Sequence, residues 1–174
     1  MLPILQLIVD TVASVVGGVL LLRFWMQVIR VRPPASVAQF TFTLTDWLVR
    51  PLRRVLPGVG GFDWASLIGA FLIVLVASSV MLLAGWSGYT VVLYAVFRFL
   101  NWIIYGFMGL LIIEVIFSWI NPPAPLAPFV HALNDPLLRP IRRVMPPIGG
   151  IDFSVLVALI LLQIVKYLLS QVLF

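Results

Sequence analysis

Apolar residues run along this chain in four long blocks, and polar residues collect in the gaps between them. The blocks cover about Leu7 to Arg30, Trp64 to Trp86, Tyr94 to Ile120 and Phe153 to Phe174. None alternates with period two, and each is close to the roughly 20 residues that an α-helix needs to cross a hydrocarbon core about 30 Å thick. A chain in lipid must satisfy its backbone N–H and C=O groups within the segment, so the blocks predict transmembrane helices.

The gap between the first two blocks and the gap between the last two are written alike. Shifting the chain so that Arg50 meets Arg139 superposes "RPLRRVLPGVGGFD" on "RPIRRVMPPIGGID" without an insertion. The match extends upstream through Asp46 with Asp135, Phe40 with Phe129 and Pro33-Pro34-Ala35 with Pro122-Pro123-Ala124. More than half of the paired positions are identical, which predicts two tandem copies, one over about 7–86 and one over about 94–174, within a single membrane domain. An even number of spans per copy inserts both in the same orientation, so the expected relation is a parallel 2+2 repeat rather than an inverted one.

Within each gap the spacing turns amphipathic. Leu44, Leu48, Leu52 and Val55 recur on one side of a helical projection, with Asp46, Arg50, Arg53 and Arg54 on the other. In the second gap Leu133, Leu137, Ile141 and Val144 oppose Asp135, Arg139, Arg142 and Arg143. Both read as short helices lying on a bilayer surface. Pro51 and Pro140 each remove a backbone hydrogen bond, which predicts a kink or a split at those points. Pro57 and Pro146 are expected to stop the helices, and Gly60-Gly61 and Gly149-Gly150 to turn the chain with positive φ. Asp63 and Asp152 are then placed to cap the following spans, where a carboxylate accepts from free N–H groups.

Composition sharpens this picture. The 174 residues are 63% hydrophobic and 10% charged, against roughly 25% charged in a soluble domain. Mean hydropathy is +1.17. The net charge is +5, and eight of the arginines sit in the two gaps: Arg30, Arg32, Arg50, Arg53 and Arg54 in the first, Arg139, Arg142 and Arg143 in the second. The "SGYT" link between spans two and three carries no charge. Positive residues mark the cytoplasmic side, so both basic loops are expected inside a bacterial inner membrane and both termini outside. An N-terminal signal peptide is the competing reading of the first block. It lacks a basic leader and carries Asp10 where an apolar core should be, which favours a retained helix.

Ionisable residues inside spans are costly enough to suggest a role. Superposition of the copies puts Arg23 near the depth of Glu114 and Asp10 near that of Arg98, so two interhelical ion pairs are expected, Arg23 with Glu114 and Asp10 with Arg98. Docking of the two halves is the plainer reading of these charges, and an ion or proton path the sharper one. Lys166 reads as a snorkelling side chain. Ala13 with Gly17, Ser14 with Gly18, and Ser66 with Ala70 are small-xxx-small pairs that let helices approach and allow a homo-oligomer.

Catalysis finds little support. Zero cysteines exclude disulfides and thiolate chemistry. The only histidine, His131, aligns with Phe42 in the other copy and reads as packing or capping rather than as a metal or haem ligand. The Gly-Gly elbows lack the strand and lysine of a phosphate-binding loop. No cofactor is expected, nor any nucleic acid, because the arginines are tied to the bilayer with little aromatic interleaving.

The doubled "D-x-L-x-R-P-[IL]-R-R-[VL]-x-P-x-[IV]-G-G-[IF]-D" resembles the signature of the YggT family, small integral membrane proteins with two YGGT repeats in bacteria and plastids, called YlmG in some lineages. The departures are Trp47 where the second copy has Pro136, and Ala65 where it has Ser154. The resemblance implies a link to osmotic or ion homeostasis in bacteria, and in plastids to haem assembly on the cytochrome b6f complex or to organelle division. The residues themselves leave two classes. One is a non-enzymatic scaffold or assembly factor that presents Arg50, Arg53, Arg54, Arg139, Arg142 and Arg143 to anionic lipid and a membrane or cytoplasmic protein partner. The other is a small ion channel or transporter component.

Overall fold

The computed structural model describes residues 2–56, 58, 60–120, 124–145 and 152–173, and among them it is all-helical, with no strand. Six α-helices follow in order: α1 Leu2–Val28, α2 Ala35–Val55, α3 Trp64–Ser79, α4 Gly88–Ile120, α5 Ala127–Val144 and α6 Ser154–Leu173. A short 3-10 helix, Val80–Ala84, extends α3 and closes on Gly85, whose φ of 83° is the left-handed turn a glycine adopts freely. Four segments are long and apolar enough to cross a membrane: Pro3–Val28, Trp64–Ala84, Gly88–Trp119 and Ser154–Val172. Large apolar side chains such as Ile8, Leu83, Ile116, Leu161 and Val172 stand exposed along them, an arrangement stable against lipid and unstable against water.

The third span starts earlier than its hydropathy suggests. Gly88, Tyr89 and Thr90 of the "SGYT" link belong to α4, because the Ser87 hydroxyl accepts from the Thr90 amide at 3.2 Å and caps the first turn. With 33 residues α4 measures about 50 Å, longer than the hydrocarbon it would cross. Tyr89 and Trp119, both exposed, mark its two ends as an aromatic residue marks a membrane interface.

Two compact units divide the chain: 1–30 with 35–103, and 31–34 with 104–174. In the first, α1 lies along α3, and Leu20, Val49, Ala65 and Ala70 form a closed apolar centre with Leu48, Leu52 and Phe99 against it. The approach of α1 to α4 depends on Gly17, where an added Cβ would stand 2.1 Å from the Trp102 ring. Ala13 is buried on the same face, whereas Ser14 and Gly18 are exposed with open space around Gly18. In the second unit Leu111, Leu138, Val155 and Ala158 form the centre, with Leu137 and Ile141 packed on it.

Both amphipathic helices run unbroken through their prolines, Pro51 in α2 and Pro136 and Pro140 in α5, so of the expected kink or split at Pro51 and Pro140 the split does not occur. Pro51 and Pro140 sit in the last turn or so of their helices, and each forgoes a single backbone bond, to the Trp47 or Pro136 carbonyl. The helices are also longer than the hydrophobic spacing indicated, starting at Ala35 and Ala127. Their buried seams are Thr41, Thr45 and Val49 in α2, and Val130, Leu133, Asn134 and Leu138 in α5. Val55 and Val144, on the apolar side of the projection, are 78% and 87% exposed in the last turn.

Gly17→Ala is expected to lower stability by about 1–3 kcal/mol through overpacking against Trp102. Gly18→Ala should be neutral or raise it by up to about 1 kcal/mol through helix propensity. Thermal unfolding of the detergent-solubilised variants reads both.

Candidate functional site

In the first unit the chemistry gathers around a buried arginine. Arg23, on the apolar helix α1, is only 6% exposed, so its guanidinium requires partners within the protein. Its Nη1 donates to Thr45 Oγ1 and to Asp46 Oδ1, each at 2.7 Å, and its Nε lies 3.6 Å from Asp63 Oδ2. The Phe42 ring covers the guanidinium at 4.8 Å. Thr45 in turn donates to the Thr41 carbonyl, so one polar residue of the α2 seam, Thr45, meets Arg23 directly.

Asp63 closes the other side. It stands at the N-cap of α3, accepts from the Ser66 amide and hydroxyl, and binds Arg53 through two contacts of 3.3 and 2.7 Å. Gly60 and Gly61, with φ of 69° and 81°, make the turn that brings Asp63 back under α2, and the Gly61 carbonyl accepts from Gln27 on α1. Arg50 pairs along its own helix with Asp46 at 2.8 Å. Three helices are thus tied through two carboxylates and three arginines.

The second unit builds a related knot from different residues. Arg142 Nε donates to Asp152 Oδ2 at 2.9 Å, and its Nη2 reaches Glu114 Oε1 on α4 at 3.1 Å. Asp152 accepts from the Ser154 amide at 2.9 Å and from its hydroxyl. Asn134 donates to the Leu110 carbonyl, and Arg139 pairs with Asp135 one turn away. His131 Nδ1 lies 2.9 Å from Glu114 Oε1 and donates to it when that nitrogen carries the proton. Gly149 and Gly150 lie outside the described residues, as does Pro146 and, in the first half, Pro57.

The charge carried by the spanning helix has opposite sign in the two knots, Arg23 in one and Glu114 in the other. The ring beside it changes to suit. Phe42 offers a π face to the cation, and His131, at the equivalent position, offers an N–H donor to the carboxylate. The expected Arg23–Glu114 pair joins residues of different units; within its own unit Arg23 is held by α2 and the capping Asp63, and Glu114 by Arg142 and His131 of α5. The reason is proximity, since α2 and α5 fold back and deliver Asp46 and Arg142 by short connections. The other expected pair is present, with Arg98 Nη2 2.9 Å from Asp10 Oδ1, Tyr94 and Trp102 rings beside the guanidinium and the Ser78 hydroxyl 3.4 Å away. Lys166 places its ammonium 4.7 Å from the centre of the Tyr105 ring. The capping serine shifts by one position between the halves, Ser66 against Ser154, which is why Ala65 appears as a departure in the superposition although both aspartates are capped.

The electrostatics outside the spans follow from these contacts. The hydrogen bond from Arg23 holds the Asp46 carboxyl below the usual carboxylate range. Burial pushes Asp63 up, but bonds from Arg53 and Ser66 together with the charges of Arg53 and Arg23 outweigh it, and the net direction is down. Asp152 is likewise pushed up by burial and carried below its ordinary value by Ser154 and Arg142. Arg142 is drawn down by burial and raised overall by Asp152 and Glu114.

Removing Arg23 leaves Asp46 without its main partner and Asp63 with a weakened one, so Arg23→Met is expected to cost about 3–5 kcal/mol. Arg50→Gln, at an exposed pair, should cost less than about 1 kcal/mol. Chemical denaturation in detergent distinguishes the two. The depressed Asp46, Asp63 and Asp152 release protons more readily in the folded state than in the unfolded one. Their stabilisation is full above the unfolded value of about 3.9 and is lost as pH falls through the folded values. The thermal midpoint should therefore drop steeply below about pH 4, and Asp63→Asn should make that drop shallower.

The chain is similar to known proteins over nearly its whole length. The protein named YggT of Escherichia coli K12, called uncharacterized, is 33% identical over 97% of this chain and 90% of its own. An uncharacterized protein of Vibrio alginolyticus is 33% identical over 97% of this chain and 94% of its own, and one of Pseudomonas aeruginosa is 34% identical over 92% and 85%. No solved structure matches the chain significantly. The family model CCB3/YggT matches residues 1–84 and 93–173, two stretches that contain both arginine knots, and the chain belongs to the CCB3/YggT family.

Proposed function

We propose that this protein is a non-enzymatic scaffold or assembly factor of the bacterial inner membrane. It consists of two tandem halves inserted in parallel, and it presents its arginine-bearing helices at the cytoplasmic face to anionic lipid and to a protein partner. The observation that carries this reading is the way the charges are used. Arg23, Arg53 and Arg142 are each held by carboxylates on neighbouring elements, with both knots fastening an amphipathic helix to an adjoining apolar helix. Such knots fix a surface in place. A transport path would need charges that release their partners in turn.

The parallel arrangement is supported by equivalence of position. Val49 and Leu138 occupy the same place in their clusters, as do Leu48 with Leu137 and Leu52 with Ile141. Arg53 to Asp63 and Arg142 to Asp152 are the same contact at the same spacing. Concentration of the basic residues in the two α2- and α5-bearing segments supports a cytoplasmic placement for both.

Reconstitution into liposomes with an ion-flux assay tests the scaffold reading against a channel or transporter. Flux is expected to stay at the level of empty liposomes. Robust flux that Glu114→Gln or Arg98→Gln abolishes would establish the transport reading in its place.

A further inference from the structure

The six arginines of the amphipathic helices are not equivalent. Arg50 and Arg139 are paired to an aspartate one turn back, and Arg53 and Arg142 are paired to the capping aspartates. Arg54 and Arg143 are exposed, and among the described residues neither has a carboxylate partner. A guanidinium already neutralised by a carboxylate has less charge left for another anion. A free one retains all five donors.

The surroundings of Arg54 specify what it meets. Trp47, Pro51 and Arg54 follow at i, i+4 and i+7 along α2, and Phe40 lies two turns before Trp47, so the four share one outward face. Trp47 is 62% exposed and Phe40 58%, and the adjoining Val55 stands out in the last turn. The Trp47 indole N–H bonds back to the Leu44 carbonyl at 2.8 Å, which leaves the ring itself turned outward. An outward face with an indole, a phenyl ring and one free guanidinium matches the layering of a bilayer interface, where aromatic rings sit at headgroup depth and a cation meets phosphate. On α5 the corresponding face is Phe129, Pro136, Pro140 and Arg143, with a phenyl ring and an arginine but no indole.

We infer that Arg54, anchored by Trp47 on the outer face of α2, is the main binding residue for the headgroup phosphate of an anionic phospholipid. Arg143 provides a weaker second site, and the paired arginines serve only to hold the helices. This rests on the lipid-contact part of the function proposed above and assigns it to particular residues.

The test is native mass spectrometry of the full chain released from micelles containing phosphatidylglycerol and phosphatidylcholine, read as the occupancy of each lipid adduct. The wild type should retain phosphatidylglycerol preferentially. Arg54→Gln should reduce that retention about fivefold, corresponding to the share of one basic residue near an anionic surface. Trp47→Ala should reduce it too, Arg143→Gln less than Arg54→Gln, and Arg50→Gln hardly at all. All of these sites are exposed, and Arg54→Lys, which keeps the charge, should restore part of the binding and rule out misfolding as the cause. An equal loss in Arg50→Gln, or no loss in Arg54→Gln, overturns the assignment while leaving the lipid reading in place. No preference for phosphatidylglycerol in the wild type defeats the lipid reading along with it. Displacement of the lipid by millimolar inorganic phosphate also overturns the assignment, by showing a site for free anions.

Discussion

An arginine that cannot reach water must be neutralised by its own protein, and that requirement organises this fold. Arg23 sits on a helix that is otherwise almost wholly apolar, and the protein brings three polar side chains to it from two other elements. Once Asp46 and Asp63 are committed to Arg23, α2 is fixed against α1 and the entry of α3 is fixed beneath both. The Gly60-Gly61 turn, the cap at Ser66 and the continuation of α2 through Pro51 all follow from holding those two carboxylates in reach.

In the second unit the same task is met with the sign reversed. Glu114 replaces the cation on the spanning helix, Arg142 becomes the bridging residue, and His131 takes the place of a phenyl ring. The elements shared by the two knots, an arginine near the end of the amphipathic helix and an aspartate that caps the next one, are those present in both copies of the sequence signature. The elements that differ are those contributed by the apolar helices. This division explains why the signature lies in the connecting segments: it encodes the clamp, and the spans supply whichever charge completes it.

Much of the architecture was legible in the chain. Four apolar blocks, the amphipathic character of the connecting segments, the glycine turn at Gly60-Gly61 and the cap at Asp63 all depend on local spacing and local backbone preference. The Asp10–Arg98 pair was legible too, as two charges at matching depth that have nowhere else to go. The Arg23 pairing was missed because depth along a helix says nothing about a neighbour that folds back from the connecting segment. Thr41, Thr45 and Asn134 gave no hydrophobic signal, although they form the buried seam. The i, i+4, i+8 spacing of Thr41, Thr45 and Val49, and of Val130, Asn134 and Leu138, was the available clue. The start of α4 was missed because Ser87 and Gly88 read as a turn until the serine is seen to cap the helix.

The central claim is that the capping aspartates, through their arginines, hold the amphipathic helices on the spans. Amide hydrogen exchange of the chain in nanodiscs measures this directly when Asp63 and Asp152 are both replaced by asparagine. The account predicts that amides of α2 and α5 lose protection by tenfold or more, corresponding to about 1.4 kcal/mol, while the middle turns of α1 and α4 keep theirs. Unchanged protection in α2 and α5 would contradict it, since the helices would then be held by apolar packing alone.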